Sequence, residues 1–379
     1  MQAHQEQENW ALLQRVAKKQ GLGCMGVSDT NLQACEPHLQ AWLNQGMHGE
    51  MAYMERHGLN RLNADTLFPG AIRIVSLRVP YVPETTLNQP DAATFSEKTL
   101  SEIEARDKPY VSLYARGRDY HKVIRQQLKR FADAVNAEVQ GFGFRVAVDS
   151  APTAEVEIAR KAGLGWRGKH TLLIHPDEGS LFFLGEVFTN MPLPLSGEFG
   201  KNHCGTCNSC MTACPTNAIV KPYQVDARLC ISYLTIEHDS EIPLELRPLV
   251  GTRIYGCDDC QLACPWNKFA KPAEYADFNP REEFDQPDWF EMMRWTEAEF
   301  LKRTEGSAIR RIGYKRFRRN LAVAAGNSVG VAGSKDALLA MRESANAFLR
   351  EHIDWAVENL QKDGLNSITQ VNKQGKNCD

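Results

Sequence analysis

Apolar positions recur every three to four residues in "NWALLQRVAKKQGL", where Trp10, Leu13, Val16 and Leu22 fall roughly on one side of a helix. "AIRIVSLRVPY" is a near-continuous apolar run ended by Pro80 and predicts a strand. "DYHKVIRQQLKRFADAVNA" returns to the helical period and begins on Asp119, an N-cap residue type. "FRVAVDS" predicts a strand ending at Asp149, and "TAEVEIARKAG" a helix closed by Gly163. "HTLLIHP" and "SLFFLGEVF" predict strands again. This alternation predicts an α/β domain over residues 1–192. Proline and glycine in "NMPLPLSGEFG" mark a linker into a second unit, residues 193–275. From 276 to 379 the pattern is helical, clearest in "ALLAMRESANAFLREHIDWAVENLQ". With "RRNLAVAAGNSVG", that stretch predicts a small helical-repeat (HEAT-like) region, followed by a polar, fraying tail, "NSITQVNKQGKNCD". The fold expected is α+β and multidomain.

The chain has 379 residues, 43% of them hydrophobic, enough for more than one core. Its formal net charge of −3 provides no global attraction for a polyanion, so a nucleic acid must be met by a local basic patch. No apolar run is long enough to span a bilayer, and "MQAHQEQENW" lacks the features of a signal peptide. These features predict a cytoplasmic protein without a membrane partner; separately, the chain is expected to be a monomer.

Cysteine changes the picture most. Eight of the 11 cysteines lie between residues 204 and 264, a density that points to metal or redox chemistry. Cys204, Cys207, Cys210 and Cys214, followed by Pro215, form the C-x2-C-x2-C-x3-C-P run of bacterial two-cluster ferredoxins. In that pattern three thiolates hold one [4Fe–4S] cube and the fourth holds the other. "GCDDCQLACP" supplies the second run as Cys257, Cys260 and Cys264, with Ile254 where a further cysteine belongs. Cys230 fills that vacancy. Symmetry then gives one cluster Cys204, Cys207, Cys210 and Cys264, and the other Cys214, Cys230, Cys257 and Cys260. Tetrahedral zinc is the rival, but it explains neither the third cysteine of the run nor the proline. Cys24, Cys35 and Cys378 are read as buried or tail thiols. Two adjacent clusters form an electron path that needs a low-potential donor at one end and a redox centre at the other.

Three further stretches carry possible chemistry. "GLGWRGKH" contains Gly163, Gly165 and Gly168 at phosphate-loop spacing, but a helix precedes it and a strand follows, the reverse of what phosphate binding requires. Its glycines are read as allowing close approach to something flat and bulky. Asp149 can be a shielded general acid or simply an acceptor of turn N–H groups; His121 can be catalytic or structural. "IRRIGYKRFRRN" gathers Arg310, Arg311, Lys315, Arg316, Arg318 and Arg319 around Tyr314 and Phe317. It fits either a solvated helix face or a grip on phosphates and unstacked bases.

The two thiol runs, taken with "LFPGAIRIVSL", "ARGRDYHKVI", "VDSAPTAEVEIARKAGLGWRGKHTLLIHPDEGSLFFLGEV", "CISYLTIEH" and "GSAIRRIGYKRFRRNLAVAAGN", resemble the epoxyqueuosine reductase family along nearly the whole chain. That family in turn resembles the cobalamin-dependent reductive dehalogenases. The resemblance implies reduction of epoxyqueuosine to queuosine at the wobble position of tRNAs with GUN anticodons (Asp, Asn, His and Tyr types). It implies cobalamin in the N-terminal domain, fed by the two clusters. "DYHKVI" has Ile124 where a D-x-H-x-x-G run needs glycine, which fits a base-off corrinoid. By the same resemblance Asp149 is the proton donor. Arg61, Asp149 itself, His170, Leu173, Leu184 and Ser232 are corrin contacts, as is the "GLGWRGKH" turn, and Arg310 to Arg319 with His238 contact the tRNA. Two alternatives stay open: a corrinoid reductase of a small molecule, and a plain electron-transfer protein.

Overall fold

The computed structural model describes residues 2–88, 94–328 and 330–374. Its N-terminal part is built on four strands: β1 (Met25–Ser28), β2 (Arg73–Pro80), β3 (Phe144–Ala147) and β4 (Phe182–Thr189). They lie in the order β1-β2-β4-β3 with every neighbouring pair antiparallel. Helices cover both faces. Leu13 and Val16 of α1 (Gln2–Lys19) and Ile124, Leu128 and Phe131 of α2 (Tyr120–Glu138) pack on Val27, Val75, Leu77 and Val187. On the other face α3 (Glu155–Lys161) sets Ile158 against Ile74, Ala147 and Phe188. With both faces covered, β4 is buried along its whole length, which is why its sequence is apolar without alternation.

Asp149 follows β3, an edge strand of this antiparallel sheet, at a turn. Contrary to expectation, "HTLLIHP" is largely not strand: Leu173–Ile174 pair with Trp166–Arg167, and His175 makes an isolated bridge to Gly179. The residues read as a linker are strapped to the sheet edge, because Ser196 N donates to Val27 O (3.0 Å) and Val27 N donates to Ser196 Oγ (2.9 Å).

The glycines of "GLGWRGKH" have an internal reason. A Cβ on Gly165 (φ +145°) would lie 2.2 Å from Ile174 O, and one on Gly163 would lie 2.8 Å from Gly197 O. The close approach is to the protein's own backbone. The expectation that these glycines yield to a flat ligand is therefore replaced. Buried Arg78 clamps the same turn, its Nη1 donating to Leu164 O (2.6 Å) while Nη2 pairs with Glu178 (3.1 Å).

Residues beyond 200 are not a separate body. Arg253–Tyr255 pairs in parallel with Tyr110–Val111, and Leu262, Phe278 and Ala308 join the core beneath the sheet. Helix α4 (Ile231–Ile236) begins at Cys230. A second core gathers α5 (Gly313–Gly326), α6 (Ser334–Glu343) and the first turns of α7 (Ala347–Gln374) around Trp289, Phe300 and Phe317. The backbone of α7 continues as helix to Gln374, where the sequence predicted a frayed tail. Cys24 is exposed and Cys35 half-buried, while Cys378 lies outside the described residues. Among the described residues no helix is long and apolar enough to cross a membrane.

Candidate active site

The eight thiols fall into two groups by which neighbours feel one another's charge. Cys264 faces Cys204, Cys210 and Cys207. Cys260 faces Cys230 and Cys214, and Cys257 faces Cys230 and Cys260. These are the sets that the spacing argument assembled. Burial pushes the thiols of Cys257 and Cys260 well above their ordinary range, and Cys264 up to about 11. Such thiols ionise only if a cation takes the proton's place, the chemistry iron supplies, so the donor set fits iron–sulfur clusters. Cys207, by contrast, is exposed, and its hydrogen bonds with Ser209 hold it below its usual range.

The second thiol group opens into an apolar cavity of about 340 Å³ lined by Cys214, Cys230, Cys257, Cys260, Phe182 and Phe183. Asp149, His170, Leu173, Leu184 and Ser232 line it too, so five of the six individual residues read as corrin contacts come together here. The sixth, Arg61, does not: it lines a different cavity and donates to Thr153 O (3.3 Å). Burial draws His170 down to about 4, so its imidazole is neutral, and its Nε2 has no hydrogen-bond partner. An unpaired buried nitrogen beside apolar walls needs a polar group to meet it. A flat macrocycle with a polar rim meets both conditions, and the residues present thus fit a corrinoid.

Asp149 stands where this cavity ends. It adopts φ +24°, a left-handed value uncommon for a non-glycine residue. Its N–H donates to Glu155 Oε2 (3.1 Å). Tyr120 Oη donates to Asp149 Oδ2, and His121 Nε2 lies 2.9 Å from the same oxygen. His121 Nδ1 lies 2.8 Å from Asp119 Oδ1, and Asp119 is also the N-cap of α2, accepting from His121 N. Protein surrounds the carboxylate on most sides, yet its side chain is 48% exposed because it faces open cavity.

The electrostatics revise the reading of Asp149 as a carboxyl group that keeps its own proton. Burial pushes it up, but the hydrogen bonds from His121 and Tyr120 outweigh burial and hold it below its ordinary value. Burial alone would lower His121; carboxylates on both ring nitrogens instead raise it to about 9. Glu155 is pushed up to about 8 by burial and by the charge of Asp149, and Glu186, buried with both oxygens unpaired, also rises well above its usual range. At neutral pH the protons therefore sit on His121 and on the two glutamic acids, with Asp149 ionised between them. Sequence reading missed both glutamates; a carboxylate in the middle of the apolar run "FFLGEVF" was the available signal.

A second cavity, about 750 Å³, opens on the other side of Asp149 and is lined by Arg56, Arg61, Lys122, Arg125, Lys129 and Arg311. Asp149 is the one residue that lines both this and the 340 Å³ cavity. Lys122, Arg125 and Lys129 stand three and four positions apart on α2 and share a face. That spacing was present in the sequence but was outweighed by the denser run near residue 315.

The dense run is mostly spent inside the protein. Arg319 is fully buried and donates to Leu234 O (2.6 Å), His238 O (2.8 Å) and Ser240 O (2.7 Å). It is therefore withdrawn as a phosphate contact. Arg316 donates to Ile236 O (2.8 Å), and Arg318 to Met341 O (2.8 Å). Arg316, Arg319 and Asn320, the last donating to Thr235 O (2.8 Å), cap the last carbonyls of α4, whereas Arg318 is held at the end of α6. His238 is tied up as well, between Glu50 and Glu241 O. Lys315 lies over the Phe348 ring, Arg310 is exposed with one bond to Leu301 O (3.1 Å), and Arg311 pairs with Glu237 at the rim of the second cavity. Of the six cations only Arg311 reaches that cavity.

Fold, thiol grouping and cavity define a two-cluster iron–sulfur redox protein. A family model described as "4Fe-4S double cluster binding domain" matches residues 203–267, and one described as "Epoxyqueuosine reductase QueG, DUF1730" matches residues 61–150. The epoxyqueuosine reductase of Pseudomonas aeruginosa is 49% identical over 337 residues, covering 89% of this chain and 90% of that protein. That of Escherichia coli is 47% identical, covering 89% and 86%. A crystal structure of an epoxyqueuosine reductase with an epoxyqueuosine-modified tRNA-Tyr stem loop superposes with a TM-score of 0.78 at 26% identity, covering 92% of this chain and 89% of that one. The enzyme from Streptococcus thermophilus shares the fold, with a TM-score of 0.79 at 24% identity and coverage of 92% and 90%. The chain belongs to the epoxyqueuosine reductase family.

Proposed function

We infer that this protein reduces epoxyqueuosine to queuosine at the wobble position of tRNA. The observation that carries the reading is the position of Asp149 as the shared wall of an apolar cavity backed by thiols and a cavity lined by cations. The first cavity suits a corrinoid and the second a single-stranded anticodon loop, with the modified base splayed inward. A corrinoid reductase of a small molecule would leave the gathering of six cations around one cavity beside Asp149 unexplained.

Cys204, Cys207, Cys210 and Cys264 hold one cluster, and Cys214, Cys230, Cys257 and Cys260 the other. His170, Leu173, Leu184 and Ser232 would hold a cobalamin, which would supply one-electron cobalt chemistry beside the second thiol group. Opening the epoxide and forming the alkene consume two electrons and two protons and release the oxygen as water. Asp149 delivers protons to that oxygen. His121, oriented by Asp119, and Glu155 replenish it, so the carboxylate relays protons from neighbours that hold them at neutral pH. Lys122, Arg125, Arg56 and Arg61 grip phosphates beside the base. The substrates are tRNAs with GUN anticodons, and the enzyme acts as a cytoplasmic monomer on a low-potential electron supply. Of the dense basic run, Arg310, Lys315 and the helical C-terminal region, read as HEAT-like, provide the outer part of the RNA contact.

Nucleoside mass spectrometry on tRNA from a strain lacking this gene and any backup enzyme tests the reading. Epoxyqueuosine should accumulate, and the plasmid-borne gene should restore queuosine. Unchanged queuosine in the deletion strain would overturn it.

A further inference from the structure

The electron path needs an entrance, and the two thiol groups are not equivalent candidates. Cys214, Cys230, Cys257 and Cys260 line the internal cavity. None of Cys204, Cys207, Cys210 and Cys264 lines either cavity beside Asp149, and Cys207 is exposed. Electrons from outside therefore meet the first group.

The surface around that group is unlike the rest of this net-acidic chain. Three segments approach it, residues 163–176, 199–225 and 265–273. Together they contain Arg167, Lys169, Lys201, Lys221, Lys268 and Lys271, and not one Asp or Glu. The contacts place the segments side by side. Lys169 Nζ donates to Gly205 O (2.8 Å) and Cys207 O (2.7 Å), and Arg167 Nη2 to Tyr223 O (3.2 Å). The His203 ring lies 5.7 Å from Trp266, which lies 6.1 Å from Phe269. No ion pair involving these six cations occurs among the described residues. Four carboxylates border these segments in sequence, Asp177, Glu198, Asp226 and Glu274, and of these Glu198 and Asp226 are paired with Arg160 and Arg228. Among the cations stand exposed apolar side chains, Phe269 at 41%, Leu172 at 36% and Tyr223 at 36%.

We propose that this face docks a small acidic one-electron carrier protein over Cys207, so that electrons enter through the first thiol group. Unpaired cations around a few exposed apolar side chains form the complement of an acidic carrier with an apolar redox edge, and they steer its approach more than they tighten the complex. At each encounter the carrier is oxidised by one electron and the cluster passes from [4Fe–4S]2+ to [4Fe–4S]1+, with no proton or atom transferred. The proposal rests on the reading that these cysteines hold a cluster.

Stopped-flow absorbance on the anaerobic, cluster-loaded protein tests it, with reduced flavodoxin as the acidic carrier and photoreduced deazaflavin as a small reductant that needs no docking face. The double variant Lys201→Glu, Lys221→Glu changes two exposed side chains outside both cavities. Its reduction by flavodoxin should slow by about 10-fold at low salt and approach the wild-type rate near ~0.5 M salt, where charges are screened. Reduction by deazaflavin and affinity for a modified tRNA stem loop should be unchanged. Equal flavodoxin rates in variant and wild type, at low and high salt, would overturn the proposal. So would a loss of stem-loop binding as large as the loss of electron transfer, which would assign the face to RNA. If deazaflavin reduces no cluster even in the wild type, the underlying cluster reading fails instead.

Discussion

The two thiol runs share one spacing grammar and lie in opposite surroundings. The first is flanked by cations, lacks carboxylates and reaches solvent at Cys207. The second carries Asp258 and Asp259 between its cysteines, and both are engaged. Asp258 accepts from Tyr110 Oη (2.6 Å), Ser112 Oγ (2.5 Å) and Leu113 N (2.8 Å), while Asp259 pairs with Arg253 (2.8 Å). The bonds of Asp258 fix the second run to the N-terminal part of the molecule, and its thiols are buried against the internal cavity. Ile254 occupies the missing ligand position because that position has become a core strand, and Cys230 arrives from the start of α4 instead. A ligand motif fixes which atoms bind; the residues between and around the ligands decide which cluster faces the world and which faces the chemistry.

Breaking the inner group should have the largest effect. Cys260→Ala should abolish turnover and lower iron content by about half, because it interrupts the path at the cavity, whereas a surface change near the outer group only slows entry. Iron analysis with a single-turnover assay checks this.

Next in size is the anchoring of α4. Arg319→Ala leaves the buried carbonyl of Leu234 unpaired, removes the bonds to the partly buried carbonyls of His238 and Ser240, and should destabilise the protein by roughly 2–4 kcal/mol. Arg310→Ala, at the surface, should change stability by less than about 0.5 kcal/mol. Chemical denaturation distinguishes them. Equal effects would mean that the run is one exposed stripe after all.

A smaller effect concerns pH. Glu155 is raised to about 8 from an ordinary value of 4.5, so the folded state holds its proton more tightly than the unfolded chain. Stability then falls as pH rises from about 4.5 through 8. His121, raised to about 9 from 6.5, contributes stability below 6.5 that is likewise lost as pH climbs through 9. Asp149, lowered, acts oppositely and loses its contribution only in acid. Glu155→Gln should therefore flatten the decline of the melting temperature between pH 5 and 8. An unaltered pH dependence would remove Glu155 from the proton network.

Much of this was legible in the sequence, and the residues show why the rest was not. Helix α2 with its Asp119 cap, the apolar strands and the grouping of eight cysteines follow from periodicity and spacing, which are local. The antiparallel strand order depends on which strands meet across more than 100 residues of chain. The basic wall of the second cavity was hidden because Arg56, Arg61 and Lys122 are gathered only by folding. The densest basic run misled for the converse reason: Arg316 and Arg319 sit one helical turn apart on the face of α5 that turns inward to α4. The network of His121, Asp149, Glu155 and Glu186 needed a third dimension altogether.

The most direct test concerns the residue on which both cavities converge. Asp149→Asn, loaded anaerobically with clusters and cobalamin, should retain its iron and its affinity for an epoxyqueuosine-containing stem loop. Its single-turnover rate of queuosine formation, read by mass spectrometry, should fall by about 10²- to 10⁴-fold. A variant that binds normally and turns over at the wild-type rate would contradict the account.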